Sequence, residues 1–216
     1  MNPHRDWFSA GLFLAILSIA SVAGAKQSAA DLYRDSYALE SAGKIKAATN
    51  KVLTVLRQEP ESYFANLRAG WLYYLQGKSE ESVRYYDRAV GLKPMAVEPL
   101  LGKLLPLVGI AAWGDVIKAA RKVLAIDPGN FQANSKLAYA LYMSGNFAKA
   151  AKVYSFLVER YPSNVEMKLG LGWSNLKMAK TQRARGLFLE ALKINSSSQK
   201  AANGLAACAA ASSGAK

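Results

Sequence analysis

Proline recurs at Pro60, Pro94, Pro128 and Pro162, each 34 residues after the one before, and Ser196 stands at the next step. A fixed period of this length constrains the fold more than composition does, because it calls for stacked copies of one supersecondary unit in place of a single central core. Other columns keep the same step. Gly43, Gly77, Ala111, Gly145 and Ala179 fall seventeen residues before the proline column. Ala48, Ser82, Val116, Ala150 and Ala184 form a second column, with Val55, Ala89, Val123, Leu157 and Ala191 seven residues on. Between them, Val52, Tyr86, Ala120, Tyr154 and Phe188 come four residues after the second column, on the same helix face and one turn along.

Within each period the apolar residues step by three and four, as in Leu137, Ala138, Leu141 and then Ala150, Val153, Tyr154, Leu157, Val158, which is helical spacing rather than strand alternation. Each unit is therefore two short helices. The glycine column marks the turn between them, where a residue without a side chain takes left-handed backbone at little cost. The proline column ends the second helix, and Asp127-Pro128-Gly129-Asn130 and Pro162-Ser163-Asn164 turn the chain and cap the next one. The spacing predicts helix pairs over 29–42 with 45–58, 63–76 with 79–92, 97–110 with 113–125, 131–144 with 147–160, and 165–178 with 181–194. Five repeats result, at about 29–62, 63–96, 97–130, 131–164 and 165–198, followed by a capping helix at about 199–212 whose Leu205 and Ala206 stay in phase with Leu171 and Gly172.

The second unit, through Gly70, Tyr73, Gly77, Tyr86, Ala89 and Pro94, and the fourth, through Ala138, Leu141, Gly145, Ala150, Tyr154, Leu157 and Pro162, resemble the tetratricopeptide repeat family. The resemblance runs over nearly the whole chain after residue 25. It implies an all-α, right-handed superhelical solenoid whose first helices line a concave groove, and a role in holding other proteins. Two local departures stand out. Leu104 replaces the Gly or Ala of other units, and Pro106 sits inside a first helix, where it deletes a backbone hydrogen bond and should kink or shorten that helix. The family's carboxylate clamp for acidic tails uses Asn in the column held here by Tyr37 and Trp71, so that motif is missing.

The column Tyr37, Trp71, Leu105, Tyr139 and Trp173 falls on the face that the resemblance turns toward the groove. Arg34, Arg68, Gly102, Lys136 and Gly170 precede it by three residues; Glu40, Tyr74, Val108, Tyr142 and Leu176 follow by three, on the same helix face. The groove is thus expected to be aromatic and basic, suited to an extended peptide with apolar and acidic residues. The candidate contacts are Arg34, Tyr37, Arg68, Trp71, Tyr74, Lys136, Tyr139, Tyr142, Trp173 and Lys177. The competing explanation is packing: bulky residues fill a tight superhelix, and each cation stacks on its own neighbour.

Charge is uneven. Twenty-eight Lys and Arg stand against fifteen Asp and Glu, and from Lys149 to Lys193 nine basic residues face three acidic ones. Lys177, Lys180, Arg183 and Arg185 form a basic patch that could meet an anionic envelope polymer or lipid, or else serve as a solvated rim. The sequence pI near 9.8 would suit nucleic acid, but an export signal argues against it. A third reading is homo-oligomerisation by groove or cap docking, the Ala-rich last helix permitting close approach.

That signal is residues 1–25: Arg5 near the start, an apolar run from Phe8 to Val22, and Ala23-Gly24-Ala25 as an A-x-A cleavage pattern before Lys26. It assigns 26–216 to the repeat domain and to the periplasm, the alternative being an uncleaved anchor in the inner membrane facing the periplasm. Reactive side chains are scarce in the mature chain. The single His, His4, lies in the leader and Cys208 is the single Cys, so a His-based triad, a His-ligated zinc site and a CxxC pair are excluded from residues 26–216. Neither a phosphate-binding Gly loop nor paired carboxylates occur, and Asn195-Ser196-Ser197 is a sequon that matters only in a eukaryote. The expected function is an exported adapter or assembly scaffold, without catalytic activity, cofactor or metal.

Overall fold

A computed structural model describes residues 27–213, which form twelve α-helices and no strand. They are α1 (Ala29–Ser41), α2 (Ile45–Gln58), α3 (Tyr63–Leu75), α4 (Ser79–Leu92), α5 (Val97–Gly102), α6 (Leu104–Gly109), α7 (Trp113–Ile126), α8 (Phe131–Met143), α9 (Phe147–Arg160), α10 (Val165–Lys177), α11 (Thr181–Ile194) and α12 (Gln199–Ser213). The proposed leader lies outside the described residues.

Local chemistry repeats with the period. Ser28, Ser62, Asn130 and Asn164 each accept the amide three residues on and so cap the first helices of their units. Ala96 holds the equivalent position before α5 and offers no side-chain cap. Inside each unit the turn carries a left-handed residue, Gly43, Gly77, Ala111, Gly145 or Ala179. The amide that follows it donates to the carbonyl five residues back, as from Lys44 to Leu39 and from Asn146 to Leu141 at 2.8 Å each, closing the exposed helix end.

Pro106 breaks the third unit's first helix in two. Its ring excludes the carbonyl of Gly102 and it has no N–H to donate, so α5 stops at Gly102 and α6 starts at Leu104. The helix expected over 97–110, with a kink or shortening at Pro106, is this broken pair.

First helices of neighbouring units touch: α3 with α5, α6 with α8, α8 with α10 and α10 with α12. Among the described residues no two second helices make comparable contact, so the stack curves with its first helices on the inner face. The core runs along it in three clusters, around Leu32, Val52 and Leu72, around Leu104, Val123 and Leu157, and around Leu169, Phe188 and Ala201. Cys208 belongs to the last as a buried free thiol, pushed up by burial, which suits packing and not nucleophilic attack.

Ring and glycine interlock between units. The Tyr86 ring lies against both Gly70 and Gly102, the Phe188 ring against Gly172 and Gly204, and the Tyr154 ring against Gly170; a Cβ on any of these glycines would come within 3.0 Å of the ring. The rings belong to the column Val52, Tyr86, Ala120, Tyr154, Phe188, and sixteen residues later come Arg68, Gly102, Lys136, Gly170 and Gly204. The two columns vary inversely in size. Where the second helix supplies a ring, the next first helix supplies glycine; where it supplies Val52 or Ala120, a long cationic side chain stands opposite in register.

Candidate binding clefts on the inner face

Two clefts open between successive first helices. The N-terminal one, about 530 Å³, lies among α1, α3 and α5 and is lined by Tyr37, Glu40, Phe64, Arg68, Trp71 and Glu98, with Tyr86 and Gly102 at its floor. The C-terminal one, about 390 Å³, lies among α8, α10 and α12 and is lined by Tyr139, Tyr142, Glu166, Trp173 and Lys200, with Tyr154 and Gly170 at its floor. They share one plan at a distance of two repeats: Trp71 becomes Tyr139, Tyr86 becomes Tyr154, Glu98 becomes Glu166 and Gly102 becomes Gly170, each 68 residues on. In the unit between them Ala120 supplies no ring and Lys136 replaces the glycine, so the pattern lapses.

The floor phenols are the polar feature of each cleft. Tyr86 and Tyr154 are 4% and 5% exposed. Neither hydroxyl makes a hydrogen bond among the described residues, yet neither is a fully buried unpaired atom, so each can meet a ligand from the cleft. Burial pushes the Tyr86 phenol up to about 12, with Tyr74 nearby adding to it, and raises Tyr154 above the usual phenol range. Both remain proton donors across physiological pH. At the rim, Tyr63 donates to Glu98 Oε2 at 2.7 Å, and Lys200 Nζ contacts both oxygens of Glu166 at 3.0 and 3.1 Å.

The candidate aromatics are placed as follows. Tyr37 and Trp71 line the N-terminal cleft, and Tyr139, Tyr142 and Trp173 the C-terminal one. Tyr74 packs on Trp71 with centroids 5.7 Å apart, and Trp173 is braced edge-on by Phe188 at 5.2 Å.

The cations are arranged otherwise than expected. Arg68 is drawn down over the Tyr37 ring, its guanidinium carbon 3.4 Å from the centroid, with Nε donating to Ser36 Oγ at 3.0 Å and Nη2 2.9 Å from Glu40 Oε2. The Nη2 contact is an ion pair without the alignment of a hydrogen bond. Glu40 Oε1 meanwhile accepts from Trp71 Nε1 at 2.7 Å, so one carboxylate neutralises the arginine and fixes the indole. Arg34 is exposed and pairs with Asp31, Lys136 is half-buried in α8, and Lys177 is exposed at the end of α10; none of them lines either cleft. The expectation of a basic groove is corrected to an aromatic one, with Glu40 and Glu98 against Arg68 in one cleft and Glu166 against Lys200 in the other. The floor tyrosines and the rim acids were not among the candidates, although the inverse size columns marked Tyr86 and Tyr154.

Of the basic patch, Lys180 and Arg183 share a groove on the outer face, where Lys152 joins them from the preceding unit; Lys177 and Arg185 lie outside it. Among the described residues no group of His, Cys, Asp and Glu is arranged to hold a metal ion.

The model of the tetratricopeptide repeat matches residues 33–96, 109–165 and 135–199, well over half of the sequence. The chain belongs to the tetratricopeptide repeat family. The match leaves out 97–108, the stretch broken into α5 and α6. This tetratricopeptide repeat chain is 29% identical over 98 residues to Small glutamine-rich tetratricopeptide repeat-containing protein 2 of Mycosarcoma maydis, which covers 45% of this chain and 28% of that protein. The chain thus spans under a third of that relative's length. Among solved structures it is similar to YrrB, a tetratricopeptide repeat protein with an unusual peptide-binding site, at 14% identity and a TM-score of 0.75 over 84% of this chain and 94% of that one. It is also similar to MamA from Desulfovibrio magneticus RS-1, at 19% identity and a TM-score of 0.74 over 81% and 99%. These likenesses show the solenoid fold.

Proposed function

We propose that this chain is an exported adapter or assembly scaffold that holds an extended segment of a partner protein along its inner face and performs no chemistry on it. The observation that carries the reading is the repetition of one cleft at a 68-residue step, each with an aromatic wall and a floor phenol that has no partner among the described residues. An extended peptide offers what such a cleft lacks. Its main-chain carbonyls accept from the phenols, and its apolar side chains lie on Tyr37 and Trp71 in one cleft and on Tyr139 and Trp173 in the other. Two matched clefts on one rigid stack engage two anchors of one chain, and the second engagement is then intramolecular. That YrrB, of the same fold, has a peptide-binding site supports a peptide as the ligand class.

Export rests on the leader pattern of residues 1–25, with the periplasm as destination and a retained anchor facing it as the alternative. Mass spectrometry of the fractionated protein tests it, since cleavage leaves Lys26 as the first residue.

Binding is tested by a benzophenone amino acid placed at Tyr142, inside the C-terminal cleft, or at Arg57, on a second helix, followed by irradiation of intact cells. The reading expects a discrete protein adduct from the first position alone. Equal adducts from both positions, or none from Tyr142, would overturn it.

A further inference from the structure

The outer face carries a second concavity, unrelated to the aromatic clefts. Because the second helices make no contact comparable to that of the first helices, a groove of about 530 Å³ opens between α9 and α11, with Leu171 and Asn175 of α10 and Met178 just after it as its floor. Lys152, Lys180 and Arg183 line it, all exposed, and none forms an ion pair among the described residues. The one acid in the lining, Glu190, is already taken by Lys168 at 2.6 Å.

The charge of this groove is not a by-product of the architecture. A counterpart lies two repeats earlier, among α4, α6 and α7, lined by Lys103, Lys118 and Lys122 but also by Asp87 and Asp115, with Lys103 paired to Asp87. At the equivalent positions 68 residues on, Asp87 is replaced by Ser155 and Asp115 by Arg183, while Lys103, Lys118 and Lys122 give way to Leu171, Gly186 and Glu190. Among the described residues the exchange leaves three cations without an ion pair beside one paired acid, where the earlier groove has two acids and one of its three cations already paired. The surroundings reinforce the change: residues 27–102 carry ten basic and nine acidic residues, whereas 103–213 carry fifteen basic and five acidic. The field of the whole chain therefore directs an anion toward this end.

We infer that the groove between α9 and α11 binds an acidic peptide segment of a protein partner, its carboxylates on Lys152, Lys180 and Arg183 and its apolar side chains on Leu171, Met178 and Leu187. A peptide is favoured over a lipid surface because the cations border a concavity whose floor offers both apolar side chains, Leu171 and Met178, and the amide of Asn175. A bilayer presents a flat array of headgroups that cannot reach Leu171 or Met178, and would be met as well by cations on the convex ridges. The site is independent of the inner clefts, so one solenoid can hold two segments on opposite faces.

The test is fluorescence anisotropy of the full chain with a labelled twelve-residue peptide alternating Glu with Leu, and with the same peptide carrying Gln for Glu. The inference expects the Glu peptide to bind at least tenfold more tightly than the Gln peptide. It also expects Lys152→Glu with Arg183→Glu to weaken the Glu peptide at least tenfold, while Arg185→Glu with Lys193→Glu, an equal change of charge outside the groove, alters it less than threefold. All four positions are exposed, and circular dichroism verifies that both variants keep the fold. Equal weakening by the two pairs would make the binding a diffuse field effect and overturn the site. Failure to prefer the Glu peptide, together with sedimentation on phosphatidylglycerol vesicles that Lys152→Glu with Arg183→Glu abolishes, would reassign the groove to membranes and overturn the peptide.

Discussion

Gly102 and Tyr86 interlock: a Cβ on Gly102 would stand 2.4 Å from Tyr86 Cε1, a separation that real side chains do not tolerate. The same contact recurs between Gly170 and Tyr154, and in both places it lets a tyrosine from a second helix become the floor of a cleft between first helices. Packing and the proposed binding surface therefore meet at one pair of residues. Gly102→Ala is expected to destabilise by about 1–3 kcal/mol through overpacking. Gly91→Ala, inside α4 with no neighbouring atom within 4 Å, should gain roughly 0.5–1 kcal/mol. Urea midpoints of the two variants, moving in opposite directions, check this.

Ala111 and Ala179 hold left-handed backbone at φ 54° and 58°, in the turn where the other units place glycine. A Cβ there costs about 1–2 kcal/mol, partly offset by the greater freedom that glycine has in the unfolded chain. Ala111→Gly and Ala179→Gly should each raise stability by roughly 0.5–1 kcal/mol, and Gly145→Ala should lower it by a similar amount. Thermal unfolding followed by circular dichroism measures all three.

The buried phenols give stability a dependence on alkaline pH. Folding holds Tyr86 near 12 against an ordinary value of 10.0, and raises Tyr154 as well, both chiefly through burial. A raised folded value means that the stabilisation is fully present below pH ~10 and is lost as pH climbs from about 10 through the folded value, since the unfolded phenol ionises first. The fall in urea midpoint between pH 9 and pH 11.5 should therefore be shallower in Tyr86→Phe with Tyr154→Phe than in the unaltered chain.

Arg68 reads as structural. Its guanidinium is buried, stacked on Tyr37 and neutralised by Glu40, and a buried ion pair is often replaceable by an apolar residue of similar length without loss. Arg68→Met should keep stability within about 1 kcal/mol and leave partner capture intact. Glu40→Ala, which strands the buried cation and frees the Trp71 indole, should cost about 3 kcal/mol. A capture assay that fails with a folded Arg68→Met would make the arginine a ligand contact instead.

Much of this fold was legible because a 34-residue step puts the same demand on the same position in every unit. Pro60 and its successors end helices, Gly43 and its successors turn the chain, and Tyr37, Trp71, Tyr139 and Trp173 share a face on first helices. Charge was less legible, because sign is visible in a sequence and partnership is not. Arg68 stands 28 residues from the carboxylate that neutralises it, in another unit. Lys152 joins Lys180 and Arg183 only because α9 and α11 flank one groove, and sequence neighbours such as Lys177 and Arg185 fall elsewhere. The inverse sizes of Tyr86 and Gly102, and of Ala120 and Lys136, were written sixteen residues apart; they acquire meaning only once second helices are seen to pack against the next unit.

The central claim is that the paired aromatic clefts hold a partner. It is tested most directly by capture from the envelope fraction with unaltered residues 26–216 and with the same residues carrying Trp71→Ala, Tyr139→Ala, both shown to be folded by circular dichroism. A protein retained by the unaltered chain and lost from the variant is the predicted result; the same protein retained equally by both would contradict it.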